Sequence, residues 1–424
     1  MPDHYQRMPP AKSKPATRRQ RPPVAFRGNG TLDNNGANAP VRPERKSQRL
    51  LEALLVPPPV PSGFPADPGY VVGVLPGTGI GPQVVDSALK VLRVTARALD
   101  LKFVVRHGGP IGEEAEAKYG RGLIEPVTSF CAGIFAAGGA VLSGPGGGRY
   151  VYDLRRHFDL FCKFVPVTPW PALAFAGKLA SRHLRGVDLL IVRDNAGGVY
   201  QGEWTQRRTE TGRRAEHNFH YTEAQVRRIT EVAARAAAAR RGRLHVIVKA
   251  GGVPGITELW TEIGLASGRK YGVETAPMNV DLAGYELIQN PTRFDVIVAP
   301  NLFGDIIADL TGILLSSRGV TFSGNYDAAG HGVYQTNHGC AHDLADRDIA
   351  NPGGQILSLA MLLRESFGLD EAATLIERGL VSAWAAGWRT ADVAEPGCRV
   401  VGTRAMTERV IEHIGKLAET KQPA

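Results

Sequence analysis

The sequence predicts an α/β fold, because short apolar runs alternate with helical patterns along most of the chain. Residues 70–75 and 296–299 are apolar and largely β-branched, as is typical of buried strands. Each run ends at a proline break, and residues 84–92 and 301–310 then repeat apolar side chains at helical spacing. A chain of 424 residues with 43% hydrophobic content has ample material for a large core.

The first strand leads into a glycine-rich turn that differs from a Rossmann dinucleotide-binding fingerprint. Residues 76–82 read Pro-Gly-Thr-Gly-Ile-Gly-Pro, and Pro82 follows the third glycine directly. Glycine permits a tight turn, and Pro82 fits the first turn of a helix. Because no acidic residue ends a second strand at the required distance, the pattern excludes a Rossmann unit.

The middle of the chain continues the alternation. Residues 103–105 and 141–142 predict strands, and a helix is expected over residues 154–161. The glycine-rich loop 144–148 has no GK[ST] after it, so we expect a flexible approach to that helix and not a phosphate cradle.

Two further elements follow. Thr222 and Gln225 form a capping box that opens a helix reaching about Arg241, and residues 244–248 predict the next strand.

The helix predicted over residues 301–310 carries a pair of acids. Asp305 and Asp309 are one helical turn apart, so both carboxylates project from the same face and can reach one cation. Hard oxygen ligands in that arrangement suit Mg²⁺ or Mn²⁺. A solvated helix face gives the same spacing, so the assignment depends on the neighbouring motifs.

The N-terminal segment has a different composition. Residues 1–68 hold eleven Lys or Arg against five Asp or Glu, so 11 − 5 = +6 of the net charge of +9 lies there, with fourteen of the 29 prolines. Such a segment buries too little apolar surface to fold. We predict a disordered, basic, Pro-rich tail over residues 1–68, or an upstream start codon chosen in error, and we expect residues 1 to about 66 to be dispensable. A basic arm that binds nucleic acid or acidic surfaces and a targeting peptide are the alternatives.

The cysteines, the apolar runs and the charge of the rest of the chain indicate its cellular compartment and its kind of partner. The four cysteines, Cys131, Cys162, Cys340 and Cys398, form no CxxC pair, which favours neither a disulfide framework nor a zinc site. No apolar run approaches the roughly eighteen residues of a membrane span. The charge outside the tail is only 9 − 6 = +3. We therefore expect a cytoplasmic protein with neither a membrane nor a nucleic-acid partner.

Together the motifs resemble the metal-dependent β-decarboxylating dehydrogenases, which include isocitrate, 3-isopropylmalate, homoisocitrate and tartrate dehydrogenases. The resemblance runs from about Val71 to Lys416, and its most specific parts are residues 293–305 and 338–351. It implies an isocitrate/isopropylmalate dehydrogenase-like two-domain fold with a mixed parallel/antiparallel sheet. The implied parts of the body 69–416 are a large domain of about residues 69–165 and 322–416, a small dimerisation domain of about 166–321, and a C-terminal tail, 417–424.

The resemblance also assigns chemical roles. It implies that Asp281, Asp305 and Asp309 hold Mg²⁺ or Mn²⁺, which polarises the substrate's 2-hydroxyl. It makes Lys249 the group that takes the hydroxyl proton and Tyr200 the acid that protonates the enol after CO₂ leaves.

Substrate contacts follow from the same resemblance. Arg155 and Arg193 are expected to bind carboxylates through the planar geometry of guanidinium, and Val151 is expected to line the pocket. Val165 stands where the family usually has a second arginine. Either Arg156, Arg149 or Lys163 substitutes for that arginine, or the substrate is held differently.

The cofactor loop favours NAD. The resemblance places His338, Gly339, Asp343 and Asn351 around adenine and ribose, with Asp343 where NADP-dependent relatives carry a cation. A carboxylate accepts hydrogen bonds from ribose hydroxyls and repels a 2′-phosphate.

The implied function is NAD-dependent oxidative decarboxylation of a malate-type 2-hydroxy acid, such as 3-isopropylmalate, isocitrate or a close analogue. A non-catalytic or regulatory relative is the alternative, because Thr78, Val165, Gly251 and Gln335 replace residues that the family usually has. Retention of the acid, base and metal set favours the enzyme. The short loop 146–154 and the apolar Val151 give conflicting indications of the substrate, which stays open.

The resemblance implies a homodimer with shared active sites. In the family the lysine and the first aspartate come from the neighbouring chain, which a two-fold dimer satisfies twice. Residues 201–220 are polar and are predicted to be irregular, at the place where relatives carry an arm that engages the partner.

Overall fold

The computed structural model describes residues 49–55 and 69–420, which lie within one compact unit. A 3-10 helix covers Leu50–Leu54. The strands, in chain order, are β1 Tyr70–Leu75, β2 Phe103–His107, β3 Ala140–Ser143, β4 Cys162–Val167, β5 Leu189–Asp194, β6 Glu203–Thr209, β7 Gly212–Asn218, β8 Arg243–Val248, β9 Glu274–Asn279, β10 Val296–Ala299, β11 Phe322–Tyr326, β12 Gly332–Thr336, β13 Trp388–Arg389 and β14 Arg399–Val400.

The helices surround the sheet. In chain order they are α1 Gly81–Ala98, α2 Gly112–Tyr119, α3 Glu125–Ala136, α4 Tyr150–His157, α5 Ser181–Leu184, α6 Glu223–Ala238, α7 Pro254–Lys270, α8 Val280–Gln289, α9 Asn301–Leu310, α10 Gly353–Phe367, α11 Asp370–Ala385 and α12 Thr403–Glu419. Helix α6 begins with the predicted capping box of Thr222 and Gln225. Helix α10 is buried along nearly its whole length, since it packs on β11 and β12 and between other helices.

Ten strands form one sheet in the order β2-β1-β3-β12-β11-β4-β5-β10-β8-β9. Strands β2, β1, β3 and β12 pair in parallel at one end, and β5, β10, β8 and β9 do so at the other. Three antiparallel pairs, through β11 and β4, join the two groups, which therefore run in opposite directions. This mixed sheet confirms the predicted fold class. The division into a large and a small domain stays a prediction, because strands from both contribute to this one sheet.

Two local predictions need correction. The helix expected over residues 154–161 is α4, which ends at His157, because Asp159 has a left-handed backbone with φ of 44° and the chain then enters β4. Residues 201–220 are not irregular: β6 and β7 form an exposed antiparallel hairpin. Its strands lack apolar alternation because neither face is buried.

Part of the predicted N-terminal tail is also corrected. Residues 49–55 pack against the body, with Leu51 and Leu54 buried. The Leu51 amide donates to the Glu365 carboxylate at 3.1 Å, and Arg235 donates to the Ala53 carbonyl. We call residues 49–55 the N-terminal strap. The rest of the predicted tail, residues 1–48 and 56–68, lies outside the described residues.

The C-terminal boundary moves as well. The tail predicted from residue 417 begins later, because α12 continues to Glu419 and Leu417 packs against the core. Residues 421–424 lie outside the described part of the chain. Within residues 49–55 and 69–420, no helix combines the length and apolar character that crossing a bilayer requires. All four cysteines are free.

Candidate active site

The candidate site lies where parallel strands β5, β10 and β8 end. Arg193 is the penultimate residue of β5, Asn301 begins α9 one residue after the end of β10, and Lys249 follows β8. Carboxyl ends of neighbouring parallel strands open on one edge of a sheet, where side chains from separate segments can converge. The sheet order thus collects residues from distant parts of the sequence at one edge.

At this edge of the sheet, the Arg193 side chain is buried and held by several partners. Its side chain is 1% exposed, and its Nε and Nη2 donate to Asn301 Oδ1 at 3.2 and 2.8 Å. Its Nη1 forms an ion pair with Asp305. Helix α9 approaches this closely because Gly304 has no side chain: a Cβ there would lie 2.7 Å from Arg193 Cγ. Gly304 and Asn301 therefore set the position of the guanidinium.

Tyr200 donates its hydroxyl proton to the second oxygen of Asp305 at 2.9 Å. Burial and the negative charge of Asp305 raise the pKa of Tyr200, so the phenol stays protonated at neutral pH. Burial also acts to raise the pKa of Asp305, but the positive charges of Arg193 and Lys163 outweigh it and hold that pKa below its usual value. The pair is thus a protonated phenol beside a carboxylate.

Three buried cations surround that carboxylate. Arg155 and Lys163 are each 4% exposed, and they lie close enough to Arg193 for mutual repulsion. Burial and the charge of Arg193 lower the pKa of Arg155 to about 9. Burial, Arg155 and Arg193 also lower the pKa of Lys163. Since buried charges are costly unless paired, this excess of positive charge favours an anionic ligand.

Asp309 lies one turn beyond Asp305, as the sequence predicts. Its carboxylate accepts from Arg318 Nη2 at 2.8 Å. Burial raises the pKa of Asp309, and repulsion from Asp305 adds to the increase. Two half-exposed carboxylates on one helix face are hard oxygen donors of the kind that Mg²⁺ or Mn²⁺ prefers, and each is paired with an arginine here. The residues therefore fit a hard divalent cation.

Lys249 and Asp281 form a separate pair. Lys249 Nζ lies 3.0 Å from Asp281 Oδ1, and both side chains are exposed, by 39% and 66%. Within the described chain, no hydrogen bond or ion pair joins this pair to Asp305 or Tyr200. The Asn279 side chain accepts from the Ala250 amide at 3.0 Å, beside Gly251, where the family usually has asparagine. A side chain at Gly251 would enter open space.

The predicted cofactor loop meets two other loops. Thr78 Oγ1 donates to the Gly146 carbonyl at 3.2 Å and lies 3.1 Å from Cys340 Sγ. The Ile80 amide donates to the Cys340 carbonyl at 2.8 Å. Thr78 thus holds three loops together at a position where the family usually has an acid.

Near the contact between these three loops, several buried polar atoms lack a hydrogen-bond partner among the described residues and could bind a polar ligand. His338 donates from Nδ1 to the Gly339 carbonyl at 3.0 Å, while its Nε2 is buried without a partner, and so are both side-chain polar atoms of Asn337. Burial lowers the pKa of His338, so the ring is neutral and Nε2 is a free acceptor. A nucleotide would satisfy such groups.

The other two predicted cofactor residues differ in character. The Asp343 carboxylate is exposed, and Arg347 donates to the Asp343 carbonyl at 3.0 Å, which places a guanidinium in the same loop. Asn351 is buried, and its amide accepts from the Gly353 N–H and donates to Asp392. Asn351 therefore shapes the start of α10, whereas Asp343 is open to a ligand.

Sequence reasoning assigned no role to two residues of the site. Asn301 lay in the motif around Asp305, and its signal is a polar residue directly after a buried strand. Tyr152 packs against Tyr200 with ring centroids 4.9 Å apart, and the Arg155 guanidinium lies 5.8 Å from its ring centre. Val151, the predicted pocket residue, is half-buried among apolar neighbours.

Comparisons with known proteins identify the family of this chain. The family model described as isocitrate/isopropylmalate dehydrogenase matches residues 71–410. The chain is 33% identical to the 3-isopropylmalate dehydrogenase of Aquifex aeolicus, over 82% of this chain and 98% of that protein. It is 37% identical to the 3-isopropylmalate dehydrogenase of Methylococcus capsulatus, over 80% of this chain and 97% of that protein.

A solved structure gives the same result. The isocitrate dehydrogenase of Methylococcus capsulatus superposes with a TM-score of 0.73 at 29% identity, over 81% of this chain and 99% of that one. The fold and the sequence thus define the class, the decarboxylating dehydrogenases that act on a CH–OH group, a class that typically uses NAD(P). The chain belongs to the isocitrate/isopropylmalate dehydrogenase family, as its motifs predict.

Proposed function

We propose that this protein catalyses NAD-dependent oxidative decarboxylation of a malate-type 2-hydroxy acid with Mg²⁺ or Mn²⁺. The observation that carries the proposal is the buried cluster of Arg155, Lys163 and Arg193 beside the Tyr200–Asp305 hydrogen bond. Such a cluster favours a multiply charged anion next to a proton donor. The substrate class is 3-isopropylmalate, isocitrate or a close analogue.

Binding comes first in the proposed mechanism. Arg155 and Arg193 hold substrate carboxylates, and Asn301 keeps the Arg193 guanidinium in place through two hydrogen bonds. Tyr152 and Val151 form the wall of the pocket. Since Arg193 is already oriented before substrate arrives, little side-chain entropy is lost on binding.

Two groups that the family typically uses complete the site. Asp305 and Asp309 with Asp281 would hold the divalent ion, which supplies a positive charge that polarises the 2-hydroxyl. His338, Gly339, Asp343 and Asn351 would surround NAD, the hydride acceptor. The free Nε2 of His338 and the exposed carboxylate of Asp343 support this placement.

In the proposed mechanism, protons are transferred by two side chains, the exposed Lys249 and the partly buried Tyr200. Lys249 takes the 2-hydroxyl proton, and Tyr200 gives a proton to the enol carbon after CO₂ leaves. The raised pKa of Tyr200, due to burial and Asp305, keeps the donor protonated until that step. The exposure of Lys249 suits a group that meets its substrate only when a second chain covers it.

We also propose a homodimer with shared active sites. Three large apolar side chains, Leu282, Tyr285 and Ile306, are 48%, 60% and 49% exposed on α8 and α9, the helices that carry the three aspartates. Trp204, on the exposed hairpin, is 55% exposed. Exposed apolar groups next to an incomplete site favour burial against a second copy. The cytosolic location stays a prediction.

A non-catalytic or regulatory relative is the second candidate, and Val165 and Gly251 favour it. A panel of 2-hydroxy acids with NAD and Mn²⁺, followed by NADH absorbance, tests the enzyme directly. We expect turnover of one malate-type acid that requires the metal. Binding of such acids without NADH formation under every metal and cofactor condition would instead support the regulatory candidate.

A further inference from the structure

We propose that Lys163 is the substrate-binding cation that replaces the arginine missing at Val165, and that it binds a carboxylate of the 2-hydroxy acid. The inference rests on the proposed function and specifies how that substrate is held. Three candidates are open from the sequence: Arg149, Arg156 and Lys163. Their surroundings distinguish them.

The strand register puts Lys163 in the right place. Strand β4 pairs antiparallel with β5, with Lys163 directly opposite Arg193 and Val165 opposite Ile191. Residues opposite each other in an antiparallel pair share a face, and so do residues two apart on one strand. Lys163, Val165 and Arg193 therefore project from the same face of the sheet. A lysine two residues earlier, with its four-carbon side chain, extends from this face beside Arg193.

Burial argues that this lysine is kept for a ligand. Lys163 is 4% exposed, and among the described residues its ammonium has neither a hydrogen bond nor an ion pair. Its electrostatic neighbours are two cations, Arg155 and Arg193, and two carboxylates, Asp305 and Asp309. Asp305 is already paired with Arg193, and Asp309 with Arg318. Burial and the two arginines disfavour the charged form of this amine, and a bound carboxylate would stabilise it.

The other two candidates are already engaged. Arg156 is exposed, and its Nε and Nη2 donate to Gln201 Oε1 and the Gln201 carbonyl at 2.9 and 2.8 Å. The Arg149 guanidinium lies over the Trp204 ring at 4.5 Å and donates to the Tyr200 carbonyl at 3.2 Å. Both arginines connect α4 to the segment around Tyr200 and Gln201, and Arg149 also contacts the hairpin through Trp204. Lys163 is the remaining cation.

The replacement changes how the carboxylate is held. An arginine binds a carboxylate with two parallel N–H groups, whereas an ammonium acts as a compact point charge with rotatable donors. Lys163 therefore supplies charge with less directional restriction than arginine. Val165 meanwhile is 1% exposed and part of the apolar core, so the strand gains packing where relatives place charge.

The test is Lys163→Met, which keeps the length of the side chain and removes its charge. We expect the KM for the acid to rise roughly 10- to 100-fold, as for loss of a charge-assisted hydrogen bond, with a smaller change in kcat and none in the KM for NAD. Lys163→Arg should stay within about tenfold of wild type. Lys90→Met, on the exposed face of α1, is the matched control and should change nothing.

A second readout separates ligand binding from a structural role. Without ligand, Lys163→Met should have a Tm at or above that of wild type, because a buried amine that has no partner among the described residues is replaced by an apolar side chain of similar length. Added malate-type dianion should stabilise the wild type and fail to stabilise Lys163→Met. An unchanged KM, or an equal thermal shift in both proteins, would overturn the inference. If no acid is turned over by wild type, the proposed function fails, and the thermal shifts still decide the role of Lys163.

Discussion

The two charged pairs of the candidate site differ in their surroundings. Arg193 and Asp305 form a pair in which the arginine is buried, and Asn301 and Tyr200 add hydrogen bonds to it. Lys249 and Asp281 pair at 3.0 Å with both side chains exposed. An exposed pair contributes little to stability, whereas a buried pair is costly unless every partner is in place. The comparison shows that Arg193 and Asp305 are preorganised by their neighbours, whereas Lys249 and Asp281 are open at the surface, where the proposed shared site requires them.

The largest expected effect comes from the buried half. Asp305→Asn removes the ligand charge with almost no change in volume, so we expect kcat to fall roughly a thousandfold, as for loss of the several kcal/mol that a bound cation contributes. The fold should remain, although Arg193 loses its partner and the Tm should fall somewhat. Circular dichroism and NADH formation measure the two effects. Asp86→Asn on α1 is the control, and near-normal turnover by Asp305→Asn would remove this residue from the metal site.

The exposed half tests the shared site. Lys249→Ala and Tyr200→Phe should each be inactive as homodimers. After random subunit exchange, half of the dimers carry one intact site, so activity should return to about a quarter of wild type, or to about a half if only heterodimers form. Exchange is verified by a mass tag on one subunit. A mixture that stays inactive after verified exchange, or an active monomer, would assign Lys249 and Tyr200 to the same chain.

We expect a smaller effect on activity from changes in the predicted cofactor loop, where Asp343 is exposed, as Lys249 and Asp281 are. Asp343→Lys removes repulsion toward a 2′-phosphate and adds a donor for it. The ratio of kcat/KM for NADP to that for NAD should rise roughly 10- to 100-fold, the range of one charge-assisted hydrogen bond. Arg347→Gln is the companion variant, because its guanidinium occupies the same loop. If the parent protein prefers NADP, Arg347 and not Asp343 determines the preference.

The elements that the sequence predicts correctly are those set by local sequence patterns. The strand β10 and the helix α9 lie where the sequence predicts them, because β-branched residues, Pro300 and a helical apolar face all agree. Asp305 and Asp309 consequently fall on one helix face, as expected. These features depend on neighbouring residues alone, so they are readable from a single chain.

Features that depend on contacts between residues far apart in the sequence cannot be predicted from local patterns. The choice of Lys163 over Arg149 and Arg156 depends on the register of β4 with β5 and on contacts with Gln201 and Trp204. The hairpin 203–218 has no apolar alternation to reveal it. The strap was hidden by the basic, Pro-rich residues around it, although the run of leucines at residues 50–55 was an available signal.

The strap extends the comparison to a third region, which packs against the core through the buried side chains of Leu51 and Leu54. Removing residues 1–44 should leave Tm and activity unchanged. Removing residues 1–55 should lower the Tm by roughly 2–6 °C, since the burial of Leu51 and Leu54, worth roughly 1.5–3 kcal/mol each, is offset in part by the entropy of ordering the segment.

The same truncation leaves the Glu365 carboxylate without the Leu51 amide. Leu51→Ala in the full chain keeps that backbone amide and removes only the buried side chain, so it should give a smaller shift in the same direction. Differential scanning calorimetry measures both variants. At temperatures where each variant is folded, kcat/KM should match wild type, because the strap contacts none of the residues of the candidate site within the described chain. A loss of activity without a loss of Tm would contradict this account and connect the strap to catalysis.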